Sequence, residues 1–267
     1  MINKLGIDVG GTLAKVAYWR DDQLVLEQLG TIELTQLASW ISDNFAKSIL
    51  QLTGGRARQL GRICSGEVRY VDEFRATCRG VKELLNYRGS ALLPPYILCN
   101  IGTGTSIYLV ESNSYSRVSG TGIGGGTLLG LARVLAGTKD YQEILDMSAR
   151  GSRSRVDLQV KDIYGPSKTP IAGDLTAANF GKLANLNDRI RPSDYLIGLI
   201  GMISETVSIL SCQCATIADV IDVVYIGSTL TNNSVLVGQL RDFTEMFSKR
   251  PHVLPQGEFS GAVGALL

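Results

Sequence analysis

A carboxylate, two glycines and a threonine share one short segment near the start of the chain, at residues 8–12. Gly10 and Gly11 accept positive φ angles and let backbone N–H groups approach a ligand, and consecutive amides in such a turn form a concavity that binds anions. Thr12 adds a hydroxyl donor, and Lys15 is close enough to offset phosphate charge. Asp8 stands where a Mg²⁺ ion would sit, directly or through water. The segment predicts a phosphate-binding turn, with a plain hairpin turn as the alternative.

Two further glycine-rich segments offer related chemistry. Residues 100–106 contain Thr103 and Gly104 after a predicted strand, and they repeat the features of the first turn. Residues 120–126 open a predicted helix at Thr127, whose N-terminus adds a positive pole. This third segment could bind the α- and β-phosphates of a nucleotide, or let its flat base lie against the backbone. The first turn is neither a Walker P-loop nor a Rossmann fingerprint, because a strand rather than a helix follows it.

Phosphoryl transfer also needs a group that orients or deprotonates the acceptor hydroxyl. With His252 as the single histidine, the candidates between the first two turns are Glu67, Asp72 and Glu73. Asp72 and Glu73 lie where a loop becomes a helix, so we assign capping to Asp72 and the base role to Glu73, the alternative being two solvated acids. Arg117 precedes the third segment and could hold a carboxylate or phosphate bidentately; the alternative is a surface arginine.

Two similar halves position these residues. The first half reads as strands at 4–8, 13–20, 24–29 and 48–53 with helices at 34–45 and 72–85. The second half reads as strands at 96–100, 107–110, 116–118 and 220–226 with helices at 127–135, 193–215, 233–247 and 261–267. Residues 88–95 break the pattern. We therefore predict an α/β protein with a smaller lobe at 1–92 and a larger lobe at 93–267 around a shared cleft.

Composition limits the functional classes. The chain has 267 residues with 26 Lys and Arg against 25 Asp and Glu, which argues against nucleic acid as a partner. We expect no membrane span, because the apolar run at 195–203 is far shorter than the roughly 20 residues required, and no signal peptide, because the first residues lead directly into a strand. Five cysteines without metal-ligand spacing predict reduced thiols and a cytoplasmic protein.

The first two turns together resemble the ATPase superfamily of sugar kinases, Hsp70 and actin, and the whole chain resembles the bacterial type II pantothenate kinases. The stretches that carry the narrower resemblance are residues 6–15, 100–106, 120–126, 170–181, 224–228 and 259–265. The resemblance implies two ribonuclease-H-like lobes with an ATP cleft between them. It also implies phosphorylation of pantothenate at its primary hydroxyl, with Mg²⁺, in a homodimer.

The resemblance also implies roles for single residues. Its catalytic glutamate corresponds to Glu73 and its substrate-clamping arginine to Arg117. Thr176 and Ala177 are the implied pantothenate contacts. The implied nucleotide contacts are Thr103, Gly125, Gly126, Thr127, Leu128, Leu129, Tyr141 and Ser228. Relatives tend to carry aspartate where this chain has Arg75, which leaves Asp72 as the alternative base.

Two other functions stay open on sequence grounds. A different kinase of the same superfamily could phosphorylate a sugar or an amino sugar, although such enzymes usually place an aspartate base after a strand. A non-catalytic nucleotide or acyl-CoA sensor, or an actin-like assembly protein, could use the same turns without turnover. The small first lobe leaves little room for the extra subdomains that assembly proteins usually carry.

Overall fold

The computed structural model describes residues 3–11, 13–30, 33–185 and 189–267. Two five-stranded mixed sheets form its frame, and they have the same topology. In each sheet three consecutive strands pair antiparallel, and two later strands add in parallel beside the first of them. This duplicated α/β arrangement confirms the predicted fold class.

The first sheet comes from residues before the predicted boundary. Its strand order is β3-β2-β1-β4-β5, and Asp21 and Asp22, both with positive φ, form the hairpin turn between β2 and β3. Helices α1 and α2 cover one face, where they bury apolar side chains from alternate positions of the strands. The elements are β1 Lys4–Val9, β2 Ala14–Arg20, β3 Gln23–Leu29, α1 Leu34–Phe45, β4 Ile49–Thr53, α2 Ala57–Gly61, β5 Val68–Tyr70 and α3 Glu73–Tyr87.

The second sheet has the order β12-β11-β6-β7-β8, and β9 and β10 form a separate two-stranded sheet. Helices α4, α5, α7 and α8 contribute to its main core. The elements are β6 Tyr96–Ile101, β7 Thr105–Val110, β8 Tyr115–Thr121, α4 Gly125–Ala136, α5 Tyr141–Ser148, β9 Leu158–Gln159, α6 Val160–Tyr164, β10 Thr176–Ala178, α7 Pro192–Ile217, β11 Asp222–Ile226, α8 Ser234–Met246, β12 Arg250–Val253 and α9 Ser260–Leu266.

Helices α3 and α9 pack against each other and join the two halves. Their apolar side chains share one core with residues of both sheets, including Ala17 from β2 and Leu98 from β6. The last helix also lies along β1, β2 and β4, and the Gln51 side-chain amide donates to the Leu266 carbonyl oxygen at 3.0 Å. The division into 1–92 and 93–267 therefore describes the sheets, but the C-terminal helix packs on the first one.

Helix α7 is the one helix in the described part of the chain that is long and apolar enough to cross a membrane. It extends well beyond the apolar run at 195–203, because small residues such as Ser208 and Ser211 continue its buried face. Within the protein, 67% of its most apolar stretch is buried. It packs against α4, α5 and α8, which is the environment of a core helix.

Candidate active site

Asp8 and Lys15 stand side by side on one face of the first sheet. They are register partners in the antiparallel pair of β1 and β2. Their neighbours Ile7, Val9 and Val16 enter the core under α1 and α2, so alternation turns Asp8 and Lys15 to the opposite face. On that face of the sheet the Asp8 carboxylate lies against the first turn of α9. Burial raises the pKa of Asp8, and the nearby Lys15 ammonium partly lowers it again.

Glu73 is the first residue of α3, and Asp72 immediately before it caps the helix. The Asp72 Oδ1 atom accepts a hydrogen bond from the Arg75 amide at 2.9 Å, which confirms the predicted cap. Partial burial raises the pKa of Glu73, Asp8 and Asp72 raise it further, and Lys15 opposes them. Glu67, the third acidic candidate, instead pairs on the surface with Arg69 at 2.6 Å. Glu73 therefore shares an electrostatic environment with Asp8 and Lys15.

Tyr108 connects the cluster of Asp8, Lys15 and Glu73 to the second lobe. No sequence pattern predicted a role for this tyrosine. Its ring lies 5.6 Å from that of Phe74, next to Glu73 on α3, and its register partner on β8 is Arg117. Burial raises the pKa of Tyr108 to about 12; Glu73 adds to the shift and Arg117 opposes it. The structure thus brings Glu73 and Arg117, which were predicted separately, to the surroundings of one tyrosine.

Arg117 is exposed on β8 and leans towards the third glycine-rich segment. Its guanidinium lies so close to Gly120 that a side chain there would overlap it.

No signal in the sequence pointed to Tyr108, since an aromatic residue in a buried strand is usually a core residue.

The first turn differs in one respect from the sequence-based interpretation. The Gly10 amide donates to the Leu13 carbonyl oxygen at 3.0 Å, so it closes the turn and is not a spare donor for phosphate. Gly11 has open space around its Cα atom, which leaves room for the close approach that we predicted. Thr12 lies outside the described residues. The assignment of Gly11 and Lys15 to the nucleotide stays a prediction.

In the third segment two of the predicted amide donors are used within the protein, and the contact of this segment with a nucleotide stays a prediction. The Gly125 and Gly126 amides donate at 2.8 Å to the carbonyl oxygens of Gly102 and Thr103. Those two helix N-terminal donors therefore hold the second turn in place rather than remaining available to phosphates. Leu128 is fully buried in the second core, so its side chain cannot contact a nucleotide. The physical reason is that the helix satisfies its first amides with the nearest protein carbonyls.

Four other predicted nucleotide contacts lie at the second turn and at the start of α4. Thr103 is exposed at the second turn and Gly104 is half-buried beside it. The Thr127 hydroxyl donates to the Gly122 carbonyl at 3.0 Å, and Leu129 packs on the core next to Leu128. Their contact with a nucleotide stays a prediction.

Tyr141 contacts the turn that contains Ser228, which follows the carboxyl end of β11. The Tyr141 hydroxyl donates to the Thr229 carbonyl at 2.6 Å, one residue after Ser228. The Thr229 hydroxyl in turn donates to the Gly102 carbonyl at 3.0 Å. The second turn, the Ser228 turn and α5 therefore form one connected surface, in the position where open α/β sheets bind ligands.

Thr176 and Ala177 lie elsewhere, in the small sheet of β9 and β10. The Thr176 hydroxyl donates to Glu205 Oε1 at 2.6 Å and accepts from the Arg153 guanidinium at 2.9 Å. Arg153 also pairs with Glu205 at 2.6 Å. This network anchors β10 to α7, and its hydrogen bonds involve neither Glu73 nor Arg117. Ala177 is exposed, and the predicted contact of both residues with pantothenate stays a prediction.

The donor set suits Mg²⁺ bound largely through phosphate and water. No group of three or more His, Cys, Asp or Glu side chains converges in the described part of the chain, so a cage made only of protein ligands is absent there. Asp8 is a half-buried carboxylate near the end of β1 with Lys15 beside it. Mg²⁺ typically uses one or two carboxylates together with substrate phosphates, which this arrangement fits.

The fold is of the class seen in solved ROK family proteins. A ROK family glucokinase from Streptomyces griseus, solved with glucose and AMPPNP, superposes with a TM-score of 0.60 at 10% identity, covering 100% of this chain and 98% of that one. The ethanolamine utilization protein EutJ from Carboxydothermus hydrogenoformans superposes with a TM-score of 0.56 at 14% identity, covering 98% and 89%. At these identities the similarity is one of fold alone.

Sequence comparison narrows that class to one family. The Fumble family pattern matches residues 25–267. A type II pantothenate kinase of Bacillus cereus is 39% identical over 270 aligned residues, covering 100% of this chain and 98% of the relative. Another, from Staphylococcus saprophyticus, is 35% identical, covering 98% and 99%. The chain therefore belongs to the Fumble family, alongside the type II pantothenate kinases.

Proposed function

We propose that this protein transfers the terminal phosphate of ATP to the primary hydroxyl of pantothenate, giving 4'-phosphopantothenate in the first step of coenzyme A biosynthesis. Full-length relatedness to type II pantothenate kinases supports the substrate. The observation that carries the chemistry is the position of Glu73, a carboxylate of raised pKa near Asp8 and Lys15; Tyr108 lies within the electrostatic influence of both Glu73 and Arg117.

The residues divide the reaction between them. Glu73 accepts the proton of the attacking hydroxyl, and its raised pKa makes it a stronger base than an ordinary glutamate. The alcohol oxygen attacks the γ-phosphorus, the bond to the β–γ bridging oxygen breaks, and ADP leaves with that electron pair. Arg117 binds the substrate carboxylate or the moving phosphoryl group. Lys15 offsets negative charge on the phosphates.

Mg²⁺, the oligomeric state and the location belong to the same proposal. Bound Mg²⁺ would neutralise phosphate charge beside Asp8, and EDTA should therefore stop turnover. A homodimer follows from the family resemblance, and light scattering that gives a mass near one chain of 28.7 kDa would contradict it. A cytoplasmic location is supported by five free cysteines in the described structure, and fractionation of the native cells tests it.

The deciding experiment is a kinase assay with Mg-ATP and pantothenate, run beside glucose, with detection of ADP and of the phosphorylated product by mass spectrometry. We expect turnover of pantothenate and none of glucose. Glu73→Gln should lower kcat by about 10²–10⁴-fold while ATP binding persists. Asp72→Asn is the matched control, because it removes a neighbouring charge but keeps a capping side chain. Turnover of glucose instead, or full activity in Glu73→Gln, would contradict the proposal.

A further inference from the structure

Thr53, the last residue of β4, has a buried hydroxyl without a hydrogen-bond partner among the described residues. The residue is 1% exposed. A buried polar group is normally satisfied, so an unpartnered one calls for a functional or structural reason. No role was predicted for Thr53 from the sequence.

Register places Thr53 next to Asp8. The two residues are partners in the parallel pair of β1 and β4. Leu50 and Leu52 face the core under α1 and α2, so Gln51 and Thr53 face the other way, as the hydrogen bond from Gln51 to Leu266 on α9 confirms. Asp8 faces the same side. Adjacent strands lie about 4.8 Å apart, a spacing from which a hydroxyl can reach a carboxylate.

Thr53 also lies beside the chain segment that leads to Glu73. On its other side β4 pairs with β5, and the Val71 amide donates to the Leu52 carbonyl at 2.9 Å. Two residues later α3 begins at Glu73. Thr53 thus lies between Asp8 on β1 and the chain segment that leads from β5 to Glu73.

The Asp8 carboxylate is held in place by close backbone packing. A Cβ atom on Gly54, which has a φ of +90°, would lie 2.5 Å from Asp8 Oδ1, and one on Gly261 would lie 2.6 Å from Oδ2. Within the described ranges no group donates a hydrogen bond to this carboxylate. A half-buried carboxylate that accepts no hydrogen bond from the protein is poorly stabilised, and the adjacent Thr53 hydroxyl, whose hydrogen can rotate, is a donor without an acceptor.

We propose that Thr53 is a positioning residue for Asp8: in the nucleotide-bound state its hydroxyl donates to the Asp8 carboxylate and fixes the oxygen that faces the Mg-nucleotide. The proposal rests on the proposed function in assigning the nucleotide to this turn. The small movement that it requires is a change of side-chain rotamer on adjacent strands. It gives a reason for a threonine at a position where valine would fill the same space without an unpaired hydroxyl.

The test compares Thr53→Val with Thr53→Ser. The valine variant should bind Mg-ADP about tenfold more weakly in calorimetry and lower kcat by a similar factor, because it loses a hydrogen bond to a charged group. The serine variant, which keeps the hydroxyl, should stay within about twofold of the wild type. The melting temperature of Thr53→Val should not fall, since the ligand-free protein loses no hydrogen bond.

A double-mutant cycle identifies the partner. In an Asp8→Ala background, Thr53→Val should change Mg-ADP binding by less than about twofold, because the hydroxyl acts through the carboxylate. Ser208→Ala on α7 is the control, since it also removes the hydroxyl of a fully buried residue but lies outside the proposed site, and it should leave binding and turnover unchanged.

Three results would overturn the proposal: wild-type Mg-ADP affinity in Thr53→Val, an undiminished effect of Thr53→Val in the Asp8→Ala background, or a melting temperature that falls together with activity. Nucleotide binding needs no pantothenate. A protein that binds Mg-ADP but fails to phosphorylate pantothenate would therefore contradict the proposed function and leave the test of Thr53 intact.

Discussion

Two adjacent carboxylates at the start of α3 have different roles because their directions differ. Asp72 turns back to the Arg75 amide at 2.9 Å, so its charge is used at the helix N-terminus. Glu73 lies in the first turn, where burial and the neighbouring carboxylates raise its pKa. This difference favours Glu73 over Asp72 as the base, since a general base works best when its pKa lies nearer the operating pH.

The raised pKa of Glu73 predicts a pH-dependent effect on stability. A carboxyl group whose pKa is higher in the folded state contributes stability below its unfolded pKa, about 4.3, and loses that contribution as the pH rises through the folded value. Glu73→Gln should therefore melt at a higher temperature than the wild type at pH 7–8, and the difference should shrink towards pH 4.

Calorimetry at several pH values checks this expectation. Glu245→Gln on α8 is the control, because it removes an equivalent exposed charge far from Asp8. A Glu73→Gln variant that is less stable than the wild type at neutral pH would show that the ionised glutamate is stabilised by the fold, and the pKa argument would be wrong.

At the level of elements, the contact between α3 and α9 sets the position of Glu73. The two helices approach so closely that a Cβ atom on Gly264 would overlap the Ala76 carbonyl, and one on Gly80 would overlap the Ser260 carbonyl. Such backbone contact leaves little freedom for the first turn of α3. The position of the catalytic carboxylate thus depends on a helix almost two hundred residues later in the chain.

Gly264→Ala should separate these helices. We expect a loss of about 1–3 kcal/mol of unfolding free energy from overpacking, together with a fall in kcat as Glu73 moves. Denaturant unfolding and the kinase assay measure the two effects. Gly238→Ala in α8, where a Cβ atom would meet no neighbour, should instead be stabilising by about 0.5–1 kcal/mol. Equal behaviour of the two variants would refute the packing argument.

At the level of the whole molecule, one core belongs to both lobes. It combines side chains from the first sheet, from the second sheet and from α3 and α9. The Arg88 guanidinium adds a hydrogen bond to Gln256 at 2.5 Å across the same junction. Lobes joined by an apolar core of this kind are coupled in stability, whereas lobes joined by a polar interface move independently.

We therefore expect a single cooperative unfolding transition in scanning calorimetry. Mg-ADP should shift it upwards, because a ligand at 100 times its dissociation constant stabilises the folded state by about 2.7 kcal/mol. Two resolved transitions, only one of which responds to nucleotide, would show that the lobes unfold separately. Equality of calorimetric and van't Hoff enthalpies is the quantitative criterion.

Long elements with a clear period were predictable from the sequence. The helix predicted at 34–45 is observed as Leu34–Phe45, and the helix predicted at 72–85 as Glu73–Tyr87 with Asp72 as its cap. Short elements were missed, among them α2, β5 and α6. Five-residue helices and three-residue strands depend on their tertiary neighbours, because they are too short to show a hydrophobic period.

The local pattern was sufficient to determine the glycine-rich turns, the capping role of Asp72 and the carboxylate at the start of α3, since each depends on residues a few positions apart. Only the tertiary structure decided that the Gly125 and Gly126 amides hold the second turn, that Leu128 is buried and that Tyr108 stands near both Glu73 and Arg117. These arrangements join segments distant in the chain, and their energies come from packing and hydrogen bonds that form only when the two lobes fold together.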